Sequence, residues 1–165
     1  MKIARYKYKD NVSFGHYAGS EKIIDLGSNF NNILDLLDNI KKVDAYLKSE
    51  NLLILDINSV ELLPPLKPRS LRDAYAFRQH VETSRKNRGL EMIKEFDDFP
   101  VYYYSNADAV MGPGNINIDN VFMNKLDFEL EVAILIGKEG INIDCKEADS
   151  YIAGFMINRK KLYHI

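Results

Sequence analysis

Cysteine is almost missing from this chain: Cys145 is the single one among 165 residues. One thiol excludes an internal disulfide, fits a reducing compartment and cannot anchor a Cys/His zinc site. Its expected role is that of a small buried hydrophobe rather than a reactive group. An excess of either charge is also missing. Lys and Arg total 22 against 24 Asp and Glu, a net charge of −2 with no basic stripe, so nucleic acid is not an expected partner. No apolar run has the length of a membrane span, and no membrane partner is expected. The opening Met1-Lys2-Ile3-Ala4-Arg5-Tyr6 carries no apolar h-region, which makes a cytoplasmic location the default expectation. Neither a Gly-x-Ser-x-Gly elbow nor a Gly-x-x-x-x-Gly-Lys-Ser/Thr phosphate loop occurs.

What is present is a composition for packing: 46% hydrophobic and 28% charged residues, with ten tyrosines. Residues 1–65 read as a small leading α/β unit. Lys2 to Tyr8 and Lys22 to Leu26 are strand candidates, with Asn11 to Gly19 expected to turn between them. From Ser28 to Leu52, Ile33, Leu36, Leu37, Ile40, Val43 and Leu47 recur at helical spacing. Pro64-Pro65-Leu66-Lys67-Pro68 then forms a connector, and a domain boundary is expected there. Beyond it, Ser70 is a candidate N-cap for a helix reaching about Arg88, and Tyr102-Tyr103-Tyr104 belongs to a strand starting near Pro100. Asp144-Cys145-Lys146-Glu147 resembles a capping box opening a short helix through Tyr151.

The chemistry concentrates in Leu126-Asp127-Phe128-Glu129-Leu130-Glu131-Val132-Ala133-Ile134-Leu135-Ile136. Its apolar end reads as a strand covered on both faces. Before it the pattern alternates, so Glu129 and Glu131 share one face about 6–7 Å apart at the backbone. Two readings fit that spacing. The face is wet, as on one side of an antiparallel sheet, or the carboxylates hold a divalent cation that removes the cost of burying like charges. On the expected Ser70 helix, Asp73, Phe77, His80 and Ser84 would share a side, placing Asp73 near a metal and His80 within reach as a base. An exposed helical histidine fits the same spacing. Tyr75 and Tyr103 are candidate hydrogen-bond donors to a substrate carboxylate or enolate, though aromatic packing also accounts for them. His16 and His164 have no convincing partnership in the sequence.

Together these segments resemble a known family. Ser70-Leu71-Arg72-Asp73-Ala74-Tyr75-Ala76-Phe77-Arg78-Gln79-His80, Phe99-Pro100-Val101-Tyr102-Tyr103-Tyr104-Ser105-Asn106, Gly112-Pro113-Gly114, the glutamate strand, Ile136-Gly137-Lys138-Glu139-Gly140 and Asp149-Ser150-Tyr151-Ile152-Ala153-Gly154-Phe155 are similar, in that order, to the fumarylacetoacetate hydrolase family. The resemblance covers roughly residues 60–157, and several separated motifs make it specific. It implies an α+β, mainly β fold, a mixed β-sandwich-like roll, with 66–165 as the N-terminal part of the catalytic domain. It further implies Mg²⁺, Mn²⁺ or Ca²⁺ as cofactor, a small oxo-acid substrate and a homodimer. Glu129, Glu131 and Asp73 become candidate metal ligands, His80 the general base, and Tyr75 and Tyr103 substrate contacts. The implied activity is C–C bond hydrolysis in a 1,3-diketo or 2-oxo acid, or isomerisation or decarboxylation of a related oxo-acid in aromatic catabolism.

The resemblance then stops. Family members continue with Asn-Asp-Trp-Ser-Ala-Arg-Asp, whose first aspartate completes the metal site, whereas this chain reads Asn158-Arg159-Lys160-Lys161. Counted from Gly154, Lys160 stands at that aspartate, and a cation there opposes metal binding. Two expectations follow: an interrupted metalloenzyme impaired on its own, or a non-catalytic remnant or half of a split protein needing a second chain.

Overall fold

The structure is a computed structural model describing residues 1–27, 30–124 and 126–163. The chain divides into two compact units, one of residues 1–65 with 113–165 and one of residues 66–112.

The first unit begins with a five-stranded antiparallel sheet. β1 (Ile3–Tyr8), β2 (Asn11–Gly19), β3 (Lys22–Asp25), β4 (Ile54–Asp56) and β5 (Glu61–Leu63) lie in the order β4-β3-β2-β1-β5. The segment expected to turn, Asn11 to Gly19, is thus the central strand. Its tight turns lie outside it. Ser20 and Glu21 both take positive φ, the geometry a two-residue hairpin loop requires between β2 and β3. Gly15 is there for space rather than flexibility, since a Cβ would come within 2.2 Å of Ile23 Cγ2.

Tyr6, Ile23 and Leu55 form the buried centre of this sheet, flanked by Ala4, Tyr8, Tyr17, Ile57, Val60 and Leu62. The Tyr6 hydroxyl donates to Asp25, whose carboxylate also accepts the Gly27 amide at 3.1 Å. Burial first, and then that hydrogen bond, push the Tyr6 phenol well above its usual pKa.

The expected long helix is two short ones, α1 (Ile33–Asp38) and α2 (Ile40–Tyr46). Asn32 caps α1 by accepting the Leu34 and Asp35 amides. Asn39 separates the two helices and its side-chain amide donates to the Asp35 carbonyl, which closes the first helix where the periodicity alone runs on. Ser28, at the start of the expected helix, and His164 lie outside the described residues.

The second unit holds β6 (Leu71–Ala74), α3 (Arg78–Asn87) and β7 (Tyr102–Ser105), with β6 and β7 paired antiparallel. A single helix from Ser70 to Arg88 is therefore not formed. The residues around Asp73 are extended, because a neighbouring tyrosine-rich strand supplies their backbone partners and cross-strand pairing outweighs the helix propensity of Leu71, Arg72 and Ala74. The helix starts only after Phe77 and buries Val81.

Back in the first unit, α4 (Asn120–Met123) leads to a long hairpin of β8 (Leu126–Ile136) and β9 (Ile152–Tyr163). β8 is not covered on both faces. Phe128, Leu130, Val132, Ile134 and Ile136 are exposed, as are Phe155 and Ile157 of β9, while Glu129, Glu131, Ala133 and Leu135 are half-buried. The acidic pair thus shares the more covered face with small and aliphatic groups. Between the strands, Asp144 accepts the Lys146 amide in a turn, and only a single 3₁₀ turn, Ala148–Tyr151, follows instead of a helix. Cys145 is exposed there, correcting its expected burial. Among the described residues, no helix is long and apolar enough to cross a membrane.

The Tyr6–Asp25 bond gives a pH-dependent prediction. Tyr6→Phe costs about 1–2 kcal/mol at pH 8 by urea unfolding. A raised phenol pKa favours the folded state fully below the unfolded value near 10 and loses that contribution as pH climbs above it. The stability gap between wild type and Tyr6→Phe therefore narrows above about pH 10. A gap that widens there contradicts the assignment.

Candidate metal site

Period-two geometry places Glu129 and Glu131 on one face of β8, and the antiparallel register decides what stands opposite them. Glu129 pairs with Lys160 and Glu131 with Asn158. Lys160 Nζ lies 3.6 Å from Glu129 Oε2, and Asn158 donates its side-chain amide to Glu131 Oε2 at 2.8 Å. Both carboxylates are therefore held in place, one by a charge and one by a neutral donor. The Lys160 side chain is 19% exposed and that of Glu129 is 42% exposed, so the pair is partly screened by water rather than sealed in the core.

The other face of the hairpin is chemically opposite. Val132 faces Ile157 and Ile134 faces Phe155 across the strands, all four exposed, and the Arg159 guanidinium lies 4.7 Å over the Phe128 ring. The alternation that carries the acids on one side therefore carries an apolar row on the other.

Asp73 lies on β6, directly opposite Tyr103 on β7, and is half-buried. The pairing brings these two candidates together, although they are 30 positions apart in sequence. On the alternate face of the same strands, the Arg72 guanidinium lies 5.1 Å over the Tyr104 ring. Tyr75 is exposed just past the end of β6, where its amide donates to the Val101 carbonyl at 3.1 Å. His80 is in the first turn of α3, exposed, and lines an open depression of about 560 Å³ with Ala76, Phe77, Arg78, Gln79 and Thr83. Because Asp73 is on a strand and His80 on a helix, no common helical face relates them.

Oxygen-only donors such as two carboxylates suit a hard divalent cation, Mg²⁺, Mn²⁺ or Ca²⁺, rather than a thiophilic metal. The residues fit such an ion in donor chemistry and oppose it in one respect, the Lys160 ammonium already beside Glu129. Reasoning from the sequence identified Lys160 but missed Asn158. A strand read alone does not disclose its register, and the facing residue lies 27 positions away.

The hairpin, the β6–β7 pair and the ordered motifs define a mainly β, α+β protein with a carboxylate-bearing strand. Residues 70–159 match the family described as Fumarylacetoacetate (FAA) hydrolase C-terminal, and the chain belongs to the fumarylacetoacetate hydrolase family. An uncharacterized protein of Staphylococcus aureus (strain USA300) is 25% identical over 183 aligned positions, covering 95% of this chain and 58% of that protein. The fold is shared with maleylpyruvate hydrolase from Sphingobium sp. SYK-6, solved in complex with manganese(II) ion and pyruvate. There the TM-score is 0.67 at 14% identity, over 99% of this chain and 59% of that one. It is shared also with 5-carboxymethyl-2-hydroxymuconate delta-isomerase from Mycobacterium smegmatis, TM-score 0.57 at 20% identity, over 98% and 55% of the two chains. The chain thus spans little more than half the length of the relatives it matches.

Half-exposed carboxylates held by single cross-strand partners contribute little to stability. Glu129→Gln and Glu131→Gln are each expected to change unfolding free energy by less than about 1 kcal/mol. A loss above about 2 kcal/mol in denaturant titration makes the pair a structural element instead of a binding one.

Proposed function

We propose that this chain carries the cation site of a divalent-metal-dependent enzyme that hydrolyses a C–C bond in a 1,3-diketo or 2-oxo acid of the acylpyruvate class. The single observation that carries the reading is the acidic pair of β8, half-buried on one face and within the stretch that matches the family. In this reading Glu129 and Glu131 hold Mg²⁺, Mn²⁺ or Ca²⁺, and Asp73 adds a further carboxylate oxygen. Manganese bound in the Sphingobium hydrolase supports a metal of this hard class.

When bound, the cation supplies Lewis-acid chemistry to the paired oxygens of a β-dicarbonyl substrate. The chain's own residues do the rest. His80 takes a proton from water on an imidazole nitrogen, a task suited to a group whose ordinary pKa lies near neutrality. The water oxygen then adds to the acyl carbonyl carbon. The adjacent C–C bond breaks, its electron pair leaves on the pyruvate fragment as an enolate, and proton return gives pyruvate and the carboxylic acid. Tyr75 and Tyr103 donate hydrogen bonds to the substrate carboxylate. Exposure of both tyrosine rings supports a role with a ligand over one in a core.

Because an isomerase has the same fold, isomerisation of a related oxo-acid is the second reading, and decarboxylation belongs with it. All three share enolate stabilisation and differ in whether water is activated. The exposed apolar row of β8 and β9 supports cover by further polypeptide, either a second copy in a homodimer or a chain supplying the remainder of the family domain. The Lys160–Glu129 pair supports weak metal affinity in this chain alone, and with it the reading as a non-catalytic half or remnant.

Calorimetric titration with Mn²⁺ tests the ligands. Weak binding is expected, abolished in Glu129→Gln with Glu131→Gln, and tight binding that survives both replacements defeats the assignment. Turnover tests the chemistry. Carried in a protein of its relatives' full length, the chain is expected to cleave an acylpyruvate in a Mn²⁺-dependent manner. His80→Ala lowers kcat by about 10²–10⁴-fold if His80 is the base. Unchanged kcat in that variant removes His80 from the mechanism.

A further inference from the structure

The ion pair on the hairpin carries a consequence for how the site is regulated, and it rests on the proposed role of Glu129 and Glu131. Two carboxylates on one strand face, two positions apart, repel each other when both are ionised. In this chain the charge that relieves them is covalent. Lys160 stands opposite Glu129 in register, its ammonium 3.6 Å from Glu129 Oε2, and its side chain is the less exposed of the two. Asn158, two residue pairs further along the same hairpin, fixes Glu131 with a neutral hydrogen bond and so leaves the charge balance to Lys160.

We infer that Lys160 is a tethered competitor of the divalent cation: its ammonium holds the acidic face in the metal-free protein and must be displaced from Glu129 before an ion binds. The geometry favours competition over coexistence. A divalent ion sits about 2.0–2.6 Å from each carboxylate oxygen, and an ammonium within ion-pair distance of the same carboxylate would then face a like charge at close range. The lysine stem is long and flexible enough to swing aside, so binding is weakened and not forbidden. The site therefore responds to the metal concentration needed to displace an internal cation.

The test is Mn²⁺ calorimetry on the whole chain as wild type, Lys160→Met, Lys160→Gln and Lys160→Arg, with melting temperature in EDTA and in Mn²⁺ as a second readout. Removing the charge in Lys160→Met or Lys160→Gln is expected to tighten Mn²⁺ binding by about tenfold or more, while Lys160→Arg stays near wild type. The neutral variants also melt lower than wild type in EDTA and gain more from Mn²⁺ than wild type does. Equal or weaker Mn²⁺ binding in both neutral variants overturns the competition. If that result comes with wild-type binding that Glu129→Gln abolishes, the metal site stands without the competitor. If no variant binds Mn²⁺ at all, the competition and the metal reading fall together.

Discussion

Everything distinctive about this chain depends on the placement of like charges on a strand. A side-chain period of two puts Glu129 and Glu131 on the same face, and the sequence offers no way to separate them without breaking the strand. The face must then supply positive charge, water or strong donors. It supplies a lysine and an amide, both from the facing strand β9, together with partial exposure to water. The same alternation pushes Phe128, Leu130, Val132, Ile134 and Ile136 to the other side, where they remain uncovered. One register therefore produces both the polar site and the apolar face. A one-residue slip would exchange the two.

The two units rest on different physics. The leading sheet is held by a small apolar centre and a phenol–carboxylate bond, and tight hairpins set the order of its first three strands. The unit of residues 66–112 has Val81 as its buried hydrophobic residue and relies on backbone pairing and exposed ion pairs such as Arg78 with Glu82 and Asp97. Exposed pairs of this kind contribute little each. Asp73, Tyr103 and the two glutamates all fall within residues 70–159, the stretch that matches the fumarylacetoacetate hydrolase family.

Legibility in the sequence followed the range of the interaction. β8 was readable because alternation and an apolar run are local signals, and the mainly β class followed from several such segments. Asp73 was misplaced onto a helix because Ser70 is a good cap and the next residues tolerate helix. The decisive partner, Tyr103, lies far along the chain. Asn11 to Gly19, expected to turn, is instead the central strand of the sheet. Gly15 is required by the closeness of Ile23 on the neighbouring strand, a packing fact with no local trace. Asn39 ended a helix that periodicity carried on, through side-chain competition for the backbone. Within the site, the acids were legible singly, while Asn158 needed the register to be seen.

The central claim, that the acidic face of β8 is a cation site, is tested most directly by a crystal structure of this chain grown with Mn²⁺ and measured for its anomalous signal. The account predicts a peak within coordination distance of Glu129 and Glu131 carboxylate oxygens, with the Lys160 ammonium moved away from Glu129. An anomalous peak elsewhere on the molecule, with the Lys160–Glu129 pair intact, contradicts it.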